Sequence, residues 1–337
     1  MLEFVDACPV CGARTGQAVL YRGLRDKVYQ NTPGTWDFYR CEGCGSGYFN
    51  PRPTPESIGK LYEEYYTHAH AETPDYANLS LLGKIRRLLG NGYRNYRFGM
   101  RERPASVLGV LVMALMPTYR ALLDAGGRHL PKRPKGRLLD VGCGNGDFLQ
   151  LAQRAGWQAV GVEPDPKAVA IARVRGLTVH HGGVETLSAE SEAYDGITMN
   201  HVIEHVHDPR TTLMHCYRLL KSDGWLWLET PNLDAQGHAR YGENWVGLDI
   251  PRHLVVFTDR ALRQLLREVG FTRVERLPYY PLCERVYAMS RAIATGESPH
   301  HPPPLPTDEQ ALAQQAEANA RRHPEIREFV MVRAWKA

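Results

Sequence analysis

At 337 residues and 43% hydrophobic content, the chain is too long for one average domain and apolar enough to bury a sizeable core in two or three units. A net charge of +4 and a pI near 8.6 are mildly basic overall, far from the balance that marks a dedicated nucleic-acid binder, and permit an anionic substrate without demanding one. The stretch from Met1 to Leu20 has no basic region followed by an apolar run and carries two cysteines, so no secretory leader is expected.

The first segment, 1–55, is rich in Gly, Pro, Cys and aromatic residues and holds two Cys-x-x-Cys pairs, Cys8 with Cys11 and Cys41 with Cys44. Two thiolates three positions apart on a glycine-loosened turn can share a tetrahedral zinc ion with a second such pair. Four thiolates close the coordination, so the metal would be structural. The alternative is four unrelated thiols. Seven cysteines, an odd number, with this spacing argue for metal ligation in a reducing compartment, the cytoplasm, over a disulfide framework. Cys143, Cys216 and Cys283 read as ordinary buried or loop thiols. The cluster Pro51, Pro53 and Pro55 marks a boundary.

Residues 56–135 read as a helical connector or lid, with Leu61, Tyr62 and Tyr65 at helical spacing, helical patterns over 79–89 and 107–123, and Pro131 and Pro134 at its end. The apolar run 107–116 is half of the ~20 residues needed to span a bilayer, so no transmembrane segment is expected. It reads as a buried helix, or as one lying on a membrane surface.

From Gly136 onward, short β-branched or leucine-rich runs alternate with helical patterns, the sign of βαβ units around a parallel sheet. Strand candidates are 137–141, 159–162, 178–180, 196–200 and 225–229, then 274–277 and 329–332. Asp165 before Pro166 and Asp208 before Pro209 match N-caps with proline at the first helical position, with stops near Gly176 and Gly224. Thr258 leads into a helix with Leu262, Leu265, Leu266 and Val269 on one face and Gly270 at its end. A proline-rich and helical insertion falls near 280–325.

The strand ending at Asp140 and Val141 runs into Gly142, Cys143, Gly144, Asn145 and Gly146, then a helix carrying Phe148. Glycines let the backbone approach a ligand closely, which suits a nucleotide loop, although a tight strand-to-helix turn uses them too. The third glycine of the dinucleotide pattern is missing. Glu163, followed by Pro164, ends the next strand, where a carboxylate can accept hydrogen bonds from both ribose hydroxyls. Read in isolation it would be a solvated carboxylate opening a turn.

These residues, 138–146 and 161–165, together with 194–209, resemble the ordered motifs of class I S-adenosylmethionine-dependent methyltransferases. The resemblance implies an α/β fold, a Rossmann-like seven-stranded methyltransferase domain over 136–337 with an antiparallel last strand. A small zinc-ribbon-like module and the helical connector would precede it. It implies S-adenosylmethionine as cofactor, in contact with Asp140, Gly142, Cys143, Gly144, Gly146, Phe148, Glu163, Pro164, Asn200 and His201. The family's third motif usually offers an acidic residue to the adenine amine. Gly183 stands there, which leaves adenine to backbone groups around Gly183 and Val184, or to Glu185 in a shifted register. Knuckle pairs before such a domain resemble methyltransferases of bacterial sugar and natural-product pathways, and some RNA methyltransferases also carry an N-terminal zinc module.

Methyl transfer from a sulfonium needs an in-line nucleophile and usually a base. Glu204 and His205 lie three and four positions after His201, so a helical turn would put them on one face. They can bind a divalent ion, act as base and orienter, or only pack and hydrogen-bond. Tyr241, Glu243, Trp245, Asp249, Arg252 and His253 form a charged and aromatic loop suited to substrate. Sugar C-methyltransferases, which the chain also resembles, carry a Glu-His pair at this point. Arg252 in place of the glutamate favours oxygen methylation, with His253 as general base and Arg252 clamping a phosphate or carboxylate. Otherwise Arg252 is a surface ion pair and His253 a helix-entry hydrogen bonder. The expected function is O-methylation of a small-molecule acceptor, anionic if Arg252 clamps it, such as a sugar or nucleotide-linked sugar. The alternatives are an RNA methyltransferase gripping RNA through its zinc module, and a sugar C-methyltransferase.

Overall fold

The computed structural model describes residues 1–62, 76–133 and 135–337; Tyr65, Pro134 and the 63–75 portion of the connector lie outside them. The chain opens with β1 (Leu2–Glu3), β2 (Gln17–Leu24), β3 (Trp36–Cys41), β4 (Gly47–Phe49), β5 (Arg52–Pro53) and α1 (Pro55–Ile58). The connector supplies α2 (Leu81–Phe98), α3 (Leu108–Leu115) and α4 (Pro117–Gly126). Then follow β6 (Arg137–Val141), α5 (Asp147–Arg154), β7 (Gln158–Glu163), α6 (Pro166–Val174), β8 (Val179–His181), β9 (Tyr194–Asn200), α7 (Pro209–Leu219) and β10 (Leu220–Pro231). The remainder is α8 (Gln236–Tyr241), β11 (Val255–Val256), α9 (Asp259–Val269), β12 (Arg273–Arg276), α10 (Cys283–Thr295), α11 (Thr307–Arg322) and β13 (Phe329–Trp335).

The expected seven-stranded α/β sheet is present, in the order β12-β13-β10-β9-β6-β7-β8. Strands β6, β7 and β8 are parallel, and the last strand, β13, runs antiparallel to both β10 and β12. The contacts group the chain into two compact units, one of 66–198 with 219–224 and one of 1–65, 199–218 and 225–337.

In the first unit, Leu138, Leu139, Leu149, Ala152 and Val162 are fully buried around β6, α5 and β7. Gly146 enters α5 at φ +86, and a Cβ there would collide with Leu177, so only glycine closes this turn. Asp165 caps α6 by accepting from Lys167 N at 2.9 Å with Pro166 in the first helical position, and Gly176 follows the helix at φ +76. In the connector, α2 is capped by Ser80. Gly92 and Gly109 let α2 and α3 meet backbone to backbone, since a Cβ on either would strike a main-chain carbonyl of Ser106 or Leu89. The run 107–116 is not the buried helix its composition suggests. Only Gly109 and Met113 of α3 are buried, while Leu108, Leu111 and Leu115, at i, i+3 and i+7, face outward.

In the second unit, β2, β3, β4 and β11 form an antiparallel sheet over a core of Trp36, Phe38, Phe49, Trp245, Leu248 and Val256. Gly47 is required because a Cβ would enter the Phe38 ring. Pairing of β11 with β4 ties residues far along the chain to the cysteine-bearing segment. Asp208 caps α7 through Thr211 N at 2.9 Å, but the helix passes directly into β10 at Leu220 instead of stopping near Gly224, and Asp223 at φ 61 takes the bend. Thr258 caps α9 through Ala261 N, and Gly270 ends it at φ +123. The region near 280–325 holds two helices, α10 and α11, around Tyr287, Leu305, Ala313, Ala316 and Ala320.

Candidate zinc knuckles, cofactor cradle and histidine cluster

Cys8 and Cys11 sit on one turn, and Cys41 and Cys44 on another of the same design. In each, the glycine after the second cysteine donates to the first cysteine's carbonyl, Gly12 at φ +75 and Gly45 at φ +83. The four Sγ atoms lie within 4.8 Å of one another, with Cys8 3.7 Å from Cys44 and Cys11 3.6 Å from Cys41. A tetrahedron with Zn–S bonds of 2.3 Å has edges of about 3.8 Å, so the residues fit a closed structural zinc site.

The glycine loop after β6 forms a cradle in the first unit. Gly142, Gly144 and Gly146 all take positive φ, at 67, 52 and 86. Glu163, buried at the end of β7, accepts Gly144 N at 2.8 Å on Oε2 and Asp165 N at 3.0 Å on Oε1. Burial pushes its carboxyl above the usual range, and the two backbone donors oppose that rise. Each oxygen retains a lone pair, which suits the paired hydroxyls of a ribose. Cys143 is buried against Gly161, where any Cβ would meet its sulfur. Asp140, fully buried at the end of β6, is gripped through Oδ1 by Arg128 and by Thr198, at 2.8 Å in the latter case, while its buried Oδ2 has no hydrogen-bond partner. An unmatched carboxylate oxygen beside the loop complements the ammonium of an amino-acid cofactor. Phe148 packs under the Arg128 guanidinium, 3.8 Å from the ring centre.

At the adenine end, Pro164 O lies 3.0 Å from His181 Nε2, and Val184 is buried. Glu185 turns back to accept Gly183 N at 2.9 Å, so a carboxylate stands beside Gly183 without being at its position.

The second unit gathers the histidines. Asn200 ends β9, and His201 follows with φ 52 and its N–H donated to Glu229 O at 2.9 Å. His201 Nδ1 lies 3.2 Å from Glu204 Oε1, and Nε2 lies 3.5 Å from Glu229 Oε1. Burial opposes a charge on His201, but hydrogen bonds with Glu204 and Glu229 outweigh it and push the ring up to about 10. Burial likewise opposes ionisation of Glu204, yet His201, with the fields of His205 and His253, brings it down to about 2. The pair is therefore imidazolium and carboxylate at neutral pH. Thr230 Oγ1 donates to the other Glu204 oxygen at 2.9 Å, and Tyr280 donates to Glu229.

His205 and His253 pack edge to face with centroids 4.6 Å apart. Burial, then the charge of His253, lowers His205 to about 4. Burial also lowers His253, with Glu204 opposing. His253 Nδ1 is 2.8 Å from Gly247 O, and a carbonyl only accepts, so Nδ1 carries the proton and Nε2 keeps its lone pair. That Nε2 stands 3.9 Å from both Glu204 Oε1 and Asp249 Oδ2, ready to have its imidazolium stabilised. Ligand atoms of Glu204, His205 and His253 lie within 4.8 Å of one another. Glu204 already gives one oxygen to His201 and the other to Thr230, and each oxygen retains a lone pair, so the geometry admits both proton transfer and a metal ion.

Two residues of the substrate loop are placed otherwise than the sequence suggests. Arg252 is fully buried: Nη1 and Nη2 bond both oxygens of Asp26, Nη1 also reaches Asp249 and Ile250 O, Nη2 reaches Asn31, and Nε reaches Leu61 O. Every N–H is taken, so this guanidinium is neither an anion clamp nor a surface ion pair but a bolt holding the loop. Tyr241 donates to Glu309 at 3.0 Å and packs against Tyr287. Sequence reasoning missed Arg128, Thr198, Glu229, Thr230 and Gly247. Glu229, an acid in a buried strand, was the one with a signal.

A parallel sheet closed by an antiparallel last strand, with a glycine cradle after its first strand and a ribose-type carboxylate after its second, defines the class I methyltransferase fold. Residues 117–276 match the family model described as a methyltransferase domain. Among curated proteins, a ubiquinone biosynthesis O-methyltransferase of Cereibacter sphaeroides is 32% identical over 152 residues, covering 42% of this chain and 62% of that protein. The chain thus spans less than two thirds of that relative. A protein of the same name from Burkholderia pseudomallei is 28% identical over 191 residues, covering 52% of this chain and 80% of its own. A solved S-adenosylmethionine-dependent methyltransferase of Thermotoga maritima, described as a possible histamine N-methyltransferase, aligns over 75% of this chain and 99% of its own with TM-score 0.43 and 23% identity.

Proposed function

We propose that the protein transfers a methyl group from S-adenosylmethionine to an acidic hydroxyl, aryl or enolic, of a small molecule. The observation that carries this reading is the fixed tautomer of His253, whose Nδ1–H is spent on Gly247 O and whose Nε2 lone pair stands beside two carboxylates. When bound, S-adenosylmethionine supplies an electrophilic methyl on a sulfonium. His253 Nε2 takes the hydroxyl proton as the acceptor oxygen attacks, and Glu204 and Asp249 stabilise the resulting imidazolium. His201 keeps Glu204 ionised for that role. A histidine held below its ordinary range is a weak base, matched to a phenol-like hydroxyl of pKa about 10 and poorly matched to a sugar alcohol. The names of the relatives support oxygen as the methylated atom, and neither they nor the filled Arg252 support a sugar or an anionic acceptor.

The test is transfer of labelled methyl from S-adenosylmethionine to a panel of catechols and nucleotide sugars. The expected result is turnover on the aryl hydroxyls, reduced about 100- to 10,000-fold in His253→Ala with the cofactor Kd unchanged. The neutral form of His253 is the active one and its pKa is lowered, so kcat/KM should hold level down through the ordinary histidine value and fall only below it. Turnover confined to sugars, or unimpaired in the variant, would overturn the assignment. Loss on chelation with recovery on adding magnesium would move the cluster from proton transfer to metal binding.

A further inference from the structure

We propose that the face formed by α3 and the N-terminal turn of α2 docks on an anionic lipid bilayer, lying in its surface. Two independent observations converge there. Leu108, Leu111 and Leu115 are 58%, 65% and 84% exposed on one side of α3, opposite the Gly109 and Met113 side that packs on α2. Val107, Met116, Leu81, Leu82 and Ile85 are exposed as well. Water-facing leucines in this number are costly in a protein that keeps Leu138, Leu139 and Leu149 fully buried, and they mark a surface meant to be covered.

Charge identifies what covers it. Residues 76–135 carry twelve Lys and Arg against two acidic residues, a net +10 in a chain of net +4, so the rest of the molecule carries −6. Arg86, Arg101, Arg103, Arg120, Lys132 and Arg133 of this segment are exposed. Apolar side chains flanked by arginine and lysine are the composition of helices that seat leucines among lipid tails and set their cations against anionic headgroups. Repulsion between like charges disfavours a second copy on the same face. Spanning is excluded for α3, which at about 12 Å is well short of the ~30 Å hydrocarbon layer. The chain also bends by 113° between α3 and α4. No single described helix is long and apolar enough to cross a membrane.

The experiment is flotation of the full chain with vesicles of phosphatidylcholine alone and of phosphatidylcholine with phosphatidylglycerol in equal parts, at low and high salt. The wild type should float only with the anionic vesicles, less so at high salt. The triple variant Leu108→Ser, Leu111→Ser, Leu115→Ser, and separately Arg86→Glu, Arg101→Glu, Arg103→Glu, should each weaken binding at least about tenfold. Binding of S-adenosylhomocysteine by calorimetry shows that each variant is folded. Equal flotation with neutral vesicles, unaltered binding by both variants, a wild-type dimer that the serine variant dissociates, or retention of transfer RNA in place of vesicles would each overturn the proposal.

Discussion

Replacing Glu163 with glutamine should weaken S-adenosylmethionine binding by an amount the local geometry sets. The carboxylate has one backbone N–H on each oxygen, from Gly144 at 2.8 Å and Asp165 at 3.0 Å, and one lone pair on each left for a ribose hydroxyl. Hydrogen bonds to a charged group contribute about 1.5–3 kcal/mol net against about 0.5–1.5 for neutral ones. Neutralising both ribose contacts therefore costs about 2–3 kcal/mol, a Kd roughly 30- to 150-fold weaker. The glutamine amide also has to face one of the two N–H groups, donor against donor, so the loop itself loosens and Tm falls. Calorimetry with S-adenosylmethionine, alongside thermal melting, reads both. Because burial holds Glu163 above the usual carboxylate range, the charge is lost as pH falls through that raised value, and the wild type should converge on the variant at mildly acidic pH. An unchanged Kd at neutral pH in a folded variant would refute the ribose assignment.

The purified protein should contain one zinc per chain by atomic absorption. Cys44→Ser should lose it and melt the sheet of β2, β3, β4 and β11 first, because binding to a four-thiolate site contributes about 10 kcal/mol or more to folding. Limited proteolysis within 1–55 after chelation checks which part opens. Arg252→Met should destabilise by about 3–5 kcal/mol in urea denaturation, since it leaves Asp26 and Asp249 buried without their cation. A stable Arg252→Met protein with a raised KM for acceptor would restore the anion-clamp role.

Local order is what the sequence made legible. The two zinc knuckles, the glycine loop with Glu163, and the caps at Asp165 and Thr258 are short patterns whose chemistry is complete within a few residues, so reading them required no knowledge of the fold. Arg252 and Tyr241 show the opposite. Their residue types suited a substrate loop, but Asp26 and Glu309, which consume their hydrogen bonds, stand 226 and 68 positions away. Hydrophobicity alone also misled at 107–116. An apolar run reads the same whether a protein core or a lipid layer covers it, and only the exposure of Leu111 and Leu115 distinguishes the two.

The placement of charge in the histidine cluster explains why three histidines can share one buried carboxylate and still differ in role. His201 carries the cation because two carboxylates, Glu204 at Nδ1 and Glu229 at Nε2, outweigh the burial of its ring. Burial keeps His205 and His253 neutral, with His253 the next cause that lowers His205, to about 4, and with the His201 charge a smaller cause that lowers His253. Their backbone partners, Arg252 O and Gly247 O, then fix which nitrogen bears the proton in each ring. His253 has its Nε2 within 4 Å of two carboxylates, so a proton arriving there meets Glu204 and Asp249. Removing the His201 charge should therefore raise His253 and shift the pH profile of the base upward. That coupling ties the turn after β9 to the loop before β11 through one shared glutamate.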